Sequence, residues 1–497
     1  MGESASGGGI SRRQFAMGAA AGAAAAAGAG GLTAAEGARR RQGRDRAERK
    51  NLELVGFDDL QARSAYQPLI EFNRSARRWI AYVGHHAGTA VNPLTGVEEP
   101  NGTSIIDVTN VRRPRYLFHI PGAPGAGEGG GAQMVRVANG SDLPKGDPTK
   151  VYLLRTRNSS GPEGSAHQIW DVTNPRRPTL ATTVVSGLND THKSWWETST
   201  GIAYLVSGVP GWRAERMTQV FDLSDPSNPV HIRDFGLVGQ EPGSTGDVPT
   251  DLHGPISVPE KNRVYFGYGT SSDGIMQIVD REKLIMGPPE PTPENLAFPE
   301  ISQLHLSSQW GAHTTFPVLD LTVAEDSRFP GGGRRDIVVI VNEATSNECT
   351  SGAHQMVFLA DITDETTPQV ISNYHVPEPS GQFCSRGGRF GAHSSNENMT
   401  PIYYRKVVFV SYFNAGVRAV DIRDPFAPKE VGFYIPEVTE NTDPRCITVN
   451  GVERCKTAIQ TNNVEVDNRG FIYIVDRANT GMHVLRATGK LAAIAGR

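Results

Sequence analysis

Three features of the sequence predict an all-β fold built from repeated units. A short segment recurs in which β-favouring residues lead to an Asp and then to a polar turn with one or two prolines, as in Gln219–Pro229. Equivalent Asp positions are 51 to 81 residues apart. The chain is also rich in turn residues, with 55 Gly and 33 Pro, and lacks long helical periodicity. Repeats of this length made of strands and turns are typical of β-propeller blades.

Seven copies of the repeat predict one propeller, over residues 61–490, with seven four-stranded antiparallel blades. The positions equivalent to the Asp are Asp107, Asp171, Asp222, Asp280, Asp361, Asp421 and Arg486. An Asp carboxylate before such a turn can accept hydrogen bonds from backbone N–H groups of the turn, and prolines fix the turn. We therefore expect most of these Asp residues to be structural.

Each unit can be read as four strands. In the fourth unit an inner strand, His253–Val258, precedes a middle strand, Val264–Phe266, and then the Asp strand. An outer strand follows the Asp-Pro turn, as at Val230–Arg233 in the third unit. Gly/Pro-rich or polar insertions, such as Asn92–Gly102 and Pro288–Gln309, predict rim loops that could form a binding face. Residues 491–497 are predicted to be a C-terminal tail.

The repeat resembles that of the LVIVD-repeat family. The segments that carry this resemblance are Ile105–Asp107, Ile278–Asp280, Asn414–Arg418 and Ala419–Pro425. It covers roughly residues 65–490. The resemblance implies a propeller scaffold and no particular activity, since one scaffold serves many functions.

The first 35 residues resemble a twin-arginine signal peptide. Arg12, Arg13 and Phe15 precede a weakly hydrophobic run, Ala16–Leu32, and small residues at 33–35. The resemblance implies export in a folded state, often with a cofactor bound, to the periplasm, the cell surface or the medium. The alternative is an Ala/Gly tail with a chance Arg pair. The run is too short and too rich in Ala to span a membrane, so an integral membrane protein is not expected.

The distribution of charge limits the partners. The first 50 residues carry nine Lys/Arg and four Asp/Glu, whereas the remainder carries 40 and 49. Residues 36–60 read as a charged, flexible linker. A mildly acidic body argues against nucleic acid as a partner. We expect a monomer that binds a small molecule or an extracytoplasmic protein.

The four cysteines predict disulfides of an oxidising compartment. Cys446 and Cys455 flank a segment with Asn450-Gly451 at its centre, a strong hairpin signal that would bring the thiols face to face. Cys349 and Cys384 are then left to pair with each other. The sequence contains no Cys-x-x-Cys and no Cys/His zinc spacing.

Four successive inner strands begin with histidine: His192, His253, His313 and His393. Equivalent positions on consecutive blades point at one axis, so four imidazoles there could bind iron, copper or zinc. The alternative is structural, since a His that bonds a neighbouring blade or lines a polar channel would be copied with its repeat. Gln67, Gln133 and Asn462 or Asn463 are predicted to hold the same position in the other three blades.

A second set of residues follows the middle strands and differs from blade to blade, as ligand contacts do. From this set Glu343 and His85 are candidate catalytic acids or bases. No catalytic or nucleotide-binding motif of known mechanics occurs.

Two functional hypotheses remain. The first is an exported propeller with a His-lined channel that binds a transition metal and a small molecule, with metal-dependent oxidoreductase as the candidate enzyme class. The second is a non-catalytic extracytoplasmic scaffold that binds a protein or cell-surface partner through its rim loops.

Overall fold

The computed structural model describes residues 47–323, 333–345, 349 and 353–497. The predicted signal peptide at 1–35 and residues 36–46 of the predicted linker lie outside the described residues. In chain order the first strands are β1 (Glu48–Lys50), β2 (Leu52–Asp58), β3 (Ala65–Asn73), β4 (Arg78–His85), β5 (Thr89–Val91), β6 (Glu98–Pro100), β7 (Thr103–Asp107), β8 (Arg115–Ile120), β9 (Val135–Asn139), β10 (Val151–Arg157), β11 (Ser165–Asp171), β12 (Thr179–Leu188), β13 (Trp195–Trp196), β14 (Ile202–Ser207), β15 (Met217–Asp222) and β16 (Val230–Phe235).

The remaining strands are β17 (Leu252–Val258), β18 (Arg263–Tyr268), β19 (Ile275–Asp280), β20 (Glu300–His305), β21 (Thr314–Thr322), β22 (Arg334–Val341), β23 (Val357–Asp361), β24 (Gln369–Tyr374), β25 (Ser394–Ser395), β26 (Val407–Ser411), β27 (Val417–Asp421), β28 (Lys429–Ile435), β29 (Pro444–Val449), β30 (Val452–Thr457), β31 (Thr461–Val466), β32 (Phe471–Asp476) and β33 (Met482–Ala487). Within the described residues the helices are α1 (Arg281–Met286), α2 (Pro293–Ala297) and α3 (Gly489–Ala495), together with five 3-10 turns: Leu60–Ala62, Gly140–Asp142, Pro259–Lys261, Glu378–Ser380 and Phe383–Ser385.

Seven antiparallel sheets form the blades of a β-propeller, which confirms the predicted fold class. From the innermost strand outwards they are β3-β4-β7-β8, β9-β10-β11-β12, β13-β14-β15-β16, β17-β18-β19-β20, β21-β22-β23-β24, β25-β26-β27-β28 and β31-β32-β33-β2, numbered here as blades 1 to 7. Strand β1 adds a fifth, outermost strand to blade 6. Two hairpins, β5-β6 and β29-β30, lie outside the blades.

The recurring Asp makes the local contact that the sequence predicts. Asp107 accepts a hydrogen bond from the backbone N–H two residues later, at 2.9 Å, and Asp361 does the same at 2.9 Å. The fourth copy differs, because Asp280 caps the first turn of α1 through the N–H of Lys283, at 3.0 Å. Helices α1 and α2 lie between the Asp strand and the outer strand of this blade, β20. The segment Pro288–Gln309, which was predicted as a loop, therefore contains α2 and β20.

The ring is closed by residues that the sequence analysis assigned to the linker at 36–60. Strand β2 is the outermost strand of blade 7, where Leu52 pairs with Ala487 and Phe57 with His483. The propeller therefore begins before residue 61, because the last repeat supplies only three of its four strands. Leu52 and Val55 are buried, as expected for a strand that packs on one face. At the other end, α3 extends into the predicted tail at 491–497, with Leu491 and Ala495 buried.

The core consists of apolar side chains packed between adjacent blades. Every residue of β14 is buried, and Tyr204 of this strand packs with Phe266 of the next blade, with ring centroids 6.3 Å apart. A comparable cluster joins Val83 of blade 1 to Val484 of blade 7. Because each blade needs its neighbours for burial, the ring positions its innermost strands rigidly around the channel.

Both predicted disulfides are confirmed. Cys446 and Cys455 are paired across the hairpin β29-β30 with Cα atoms 3.9 Å apart. The turn residues Asn450 and Gly451 have φ angles of 52° and 73°, the positive values that an Asn-Gly hairpin turn requires. Cys349 and Cys384 are bonded with Cα atoms 5.5 Å apart. Among the described helices, none is long and apolar enough to cross a membrane.

Candidate functional site

The start of each innermost strand brings polar residues to one rim of the channel. His313 and His393 come directly before β21 and β25, and His253 is the second residue of β17. Antiparallel pairing places these starts beside the ends of the middle strands, as Thr314 opposite Val341 shows. Residues that open the innermost strands therefore face residues that follow the middle strands.

The four predicted histidines meet in the channel with a tyrosine from blade 1, and we call these five residues the histidine cluster. Its members are His192, His253, His313, His393 and Tyr66. The Nε2 atoms of His192 and His253 are 2.9 Å apart, and the Tyr66 hydroxyl oxygen lies 3.2 Å from the first and 3.5 Å from the second. Ring centroids of His253 and His313 are 3.4 Å apart, and those of His313 and His393 are 4.6 Å apart.

Tyr66 occupies the position that the sequence analysis gave to Gln67. The pairing of β3 with β4 shifts register between Ala65 and Pro68, and a shift of one residue turns each side chain to the opposite face of a strand. Gln67 instead lies deeper in the channel, where its Nε2 donates to Glu397 Oε2 at 3.3 Å. In blade 7, Asn462 supports the cluster through its backbone carbonyl.

The imidazoles of the cluster are buried and neutral. Burial lowers the pKa of His192, His253, His313 and His393 well below the usual range. His393 Nδ1 donates to the carbonyl oxygen of Asn462, which leaves a lone pair on Nε2. His313 Nδ1 lies 3.0 Å from the Thr314 hydroxyl oxygen, and its buried Nε2 has no hydrogen-bond partner among the described residues. Neutral imidazole is the form that binds metals.

Glu343, predicted as a catalytic residue, lies beside two members of the cluster. It follows β22 by two residues. Its Oε2 is 3.7 Å from His313 Nε2 and its Oε1 is 3.7 Å from His393 Nε2. Burial raises the pKa of Glu343, although nearby arginines counteract that effect. The arginines with the largest effect on Glu343 are Arg389 and Arg477, and we call these two residues the rim arginines.

The other catalytic candidate, His85, lies apart from the cluster. Its Nε2 is 2.8 Å from the Ser104 hydroxyl on the next strand of the same blade, and burial lowers its pKa to about 3. The neighbouring His86 points to the channel instead, with its ring centroid 5.1 Å from that of Tyr66. The structure therefore brings together Glu343 and the four histidines, but not His85.

A second group of polar residues fills the channel beneath the histidine cluster, and we call it the ion-pair network. It consists of Lys193, Arg136, Glu397 and Glu465. Lys193 forms an ion pair with Glu397 and donates to Thr314 Oγ1 at 2.9 Å. Arg136, on blade 2, reaches Glu397, on blade 6, at 2.7 Å, so the network crosses the channel. Burial alone would raise the pKa of Glu397, but Lys193 and Arg136 lower it to about 2.

The geometry at Glu343 fits a metal ion. His313, His393 and Glu343 each offer one ligand atom, all within 4.8 Å of one another. Ligand atoms about 2.1 Å from one ion lie about 3.0–3.5 Å apart in octahedral or tetrahedral geometry, so small side-chain movements would close the 3.7 Å distances. Two imidazoles and one carboxylate are a ligand set used for zinc and for non-haem iron(II). The site thus contains a suitable donor set, and the buried Nε2 of His313, which has no hydrogen-bond partner among the described residues, is available as a ligand.

A side-chain hydroxyl and a backbone carbonyl orient the histidine rings. Asp251, two residues before His253, accepts hydrogen bonds from the backbone N–H groups of Glu215, at 2.8 Å, and Arg216, at 3.4 Å. It therefore holds the loop that carries Arg216. Thr314 and the Asn462 carbonyl contact the histidines instead. Contacts of this kind fix the tautomer of a ligating histidine.

Comparison with known proteins yields structural similarity alone. No family model matches the sequence, and no curated protein matches it significantly. A proposed 6-phosphogluconolactonase of Bacteroides fragilis NCTC 9343 has 10% identity and a TM-score of 0.44, over 77% of this chain and 85% of that one. Sqt1 of Chaetomium thermophilum has 10% identity and a TM-score of 0.47, over 89% and 100%.

A second proposed 6-phosphogluconolactonase, of Bacteroides uniformis ATCC 8492, has 11% identity and a TM-score of 0.45, over 80% of this chain and 90% of that one. Sequence identities and TM-scores this low carry no information about activity. The class of the molecule is therefore defined by its own structure, a seven-bladed β-propeller with a histidine-lined channel.

Proposed function

We propose that this propeller binds a divalent transition metal in its channel through His313, His393 and Glu343, where a small molecule can reach it from the rim. One observation carries the proposal: the Glu343 carboxylate lies between two buried imidazole Nε2 atoms, at 3.7 Å from each. The tautomer of His393, with Nδ1–H bonded to a carbonyl, directs its lone pair toward this point. His192 and His253 adjoin the site and complete the set of four histidines proposed as metal residues.

The ligand set favours iron or zinc, with copper as the third candidate. Iron or copper would suit a metal-dependent oxidoreductase, so the native metal decides which activity should be assayed. Glu343 and His85 keep the roles of proposed acids or bases, and only Glu343 adjoins the cluster. We also propose that the chain belongs to the LVIVD-repeat family and is exported by the twin-arginine route. Two disulfides support an oxidising compartment.

Elemental analysis of the protein purified from its export compartment tests the proposal. We expect about one equivalent of metal in the wild type, and at least a tenfold loss of occupancy in His313→Gln, His393→Gln and Glu343→Gln. His119→Gln is the matched control, because His119 is also buried beside a glutamate, with Nδ1 2.9 Å from Glu99 Oε2, but lies outside the cluster. Circular dichroism should show that every variant is folded.

Two results would contradict the metal site. One is a wild-type protein with metal only at background level after reconstitution with iron, copper or zinc. The other is equal occupancy in the control and in the three channel variants. Either would favour the alternative function, a scaffold that binds a protein partner through its rim loops.

A further inference from the structure

We propose that the metal-loaded site binds a small oxyanion, a carboxylate or a phosphate ester, through the guanidinium groups of Arg389 and Arg477. This inference rests on the proposed metal site and adds the chemical class of its ligand. It follows from the position of the rim arginines, their charge balance and the way the channel opens.

The two rim arginines share one carboxylate oxygen. Arg389 Nη1 is 3.4 Å from Glu343 Oε1, and Arg477 Nη1 is 3.8 Å from the same atom. Both guanidinium groups lie over the ring of Phe413, at 5.7 Å and 6.0 Å from its centroid. Phe413 also contacts His393, with ring centroids 5.1 Å apart. Two cations are thus held next to the proposed metal ligands.

The guanidinium group of Arg477 is held in place by contacts to its second terminal nitrogen, Nη2. Its Nη2 lies 3.1 Å from His86 Nε2 and 3.2 Å from Glu128 Oε1. Burial, followed by the charge of Arg477, lowers the pKa of His86 well below the usual range, so this imidazole is neutral and accepts the hydrogen bond. These contacts orient Nη1 toward Glu343, where a ligand beside the metal would lie.

The balance of charge at this rim changes when a metal binds. Without metal, the rim arginines are balanced by Glu343 and Glu128, and Arg216 forms a separate ion pair with Asp190 at 2.6 Å. A divalent ion adds two positive charges to a buried site. Uncompensated buried charge is costly, so the loaded site should attract an anion. Guanidinium groups bind carboxylates and phosphates through paired N–H···O contacts.

Exposure to solvent falls from the rim toward the cluster. The side chains of Arg389, Arg477 and Glu343 are 29%, 16% and 11% exposed, so an anion from solvent has better access to the rim arginines than to the proposed metal ligands. On the other side of the cluster, the ion-pair network fills the channel, with Lys193 and Glu397 each 3% exposed. An anion would therefore pass the rim arginines before it reached the metal.

Titration calorimetry with zinc-loaded and zinc-free protein tests the inference. The probes are acetate for carboxylates, methyl phosphate for phosphate esters and neutral acetamide as a negative control. We expect at least one anion to bind the zinc-loaded protein at least tenfold more tightly than the zinc-free protein, and acetamide to bind neither. The preferred anion identifies the ligand as a carboxylate or a phosphate ester.

Arg389→Gln and Arg477→Gln should each weaken anion binding by roughly 10- to 100-fold, the usual effect of losing a charge-assisted hydrogen bond. Arg386→Gln is the matched control, because Arg386 belongs to the same loop and is also 29% exposed, but pairs with Glu48 at 2.6 Å. It should bind the anion as the wild type does.

Zinc binding is measured separately on each protein, so the two proposals fail differently. If zinc binds but neither anion binds more tightly to the loaded protein, or if the rim variants match the control, the anion proposal is wrong and the metal site stands. If zinc does not bind the wild type, the titration is repeated with iron(II) and copper(II), and if none of the three binds, both proposals are wrong.

Discussion

The channel has two polar levels that are equally buried but differ in how their polar groups are satisfied. In the ion-pair network, Glu397 is bonded to Lys193 and to Arg136, so every charge faces an opposite charge or N–H donors. In the histidine cluster, by contrast, His192 Nδ1, His253 Nδ1 and His313 Nε2 have no hydrogen-bond partner within the described ranges.

This difference separates a structural role from a binding role. Buried polar groups in folded proteins are normally hydrogen-bonded, and exceptions need an explanation. The network meets that rule and holds blades 2, 3 and 6 together across the channel. The histidine cluster does not meet it, and a metal bound by His313, His393 and Glu343 would supply the missing partner of His313 Nε2. The following changes should therefore affect stability at one level and binding at the other.

The largest effect should come from removing one charge of the network. Lys193→Met leaves Glu397 with only one of its two cations in a buried site, and breaking a buried ion pair costs about 3–5 kcal/mol of the free energy of unfolding. Urea denaturation measures this loss. Lys145→Met is the control, since Lys145 is 68% exposed and lies 4.0 Å from Asp222, and we expect its effect to stay within about 0.5 kcal/mol. Equal effects of the two changes would contradict a structural role for the network.

The next effect depends on pH. Burial, together with the nearby carboxylate of Glu397, raises the pKa of Glu465 to about 7, whereas the unfolded value is about 4.3. The folded protein holds this proton to higher pH than the unfolded chain does, so the free energy of unfolding falls as pH rises from about 4.3 to about 7.

Glu465→Gln removes this dependence. Compared with the wild type, the variant should gain up to about 4 kcal/mol of stability at pH 8 and almost nothing at pH 4. Urea denaturation at both pH values measures the gain. A gain of the same size at both pH values would show that titration of Glu465 is not its cause.

Metal should stabilise the protein by binding to the histidine cluster. A free metal concentration about 100-fold above the dissociation constant should raise the free energy of unfolding by about 2.7 kcal/mol. His313→Gln should abolish this increase, whereas Lys193→Met should retain it. Thermal unfolding with and without zinc measures the difference. An increase that survives in His313→Gln would place the ion elsewhere.

The smallest effect distinguishes the two halves of the cluster. Tyr66 contacts His192 and His253 but neither Glu343 nor His313 by a hydrogen bond within the described residues. Tyr66→Phe should cost about 0.5–1.5 kcal/mol of unfolding free energy and leave metal occupancy unchanged. A loss of metal in this variant would assign the ion to His192 and His253 instead.

Some of this arrangement could be predicted from the sequence because repeats copy positions. The Asp-Pro turns determine the blades, and the shared place of four histidines before successive inner strands predicts that they meet. Glu343 was found by the same reasoning, since it follows a middle strand that ends at the same rim.

Other residues could not be predicted because they depend on non-local pairing or on loop paths. Tyr66 reaches the cluster through a register shift in β3, and the sequence pattern does not show it. Arg389 and Glu128 come from loops whose course no periodicity determines. The closing strand β2 does carry a signal, the alternating apolar residues of Leu52–Phe57, but its partner β33 lies more than 400 residues away in sequence.

The most direct test of the central claim is an anomalous difference map from crystals of the protein loaded with zinc. We predict one strong peak about 2.0–2.2 Å from His313 Nε2, His393 Nε2 and a carboxylate oxygen of Glu343. A peak at another place in the channel would contradict this choice of ligands. A map without any peak in the channel, from protein that is fully folded, would contradict the metal site itself.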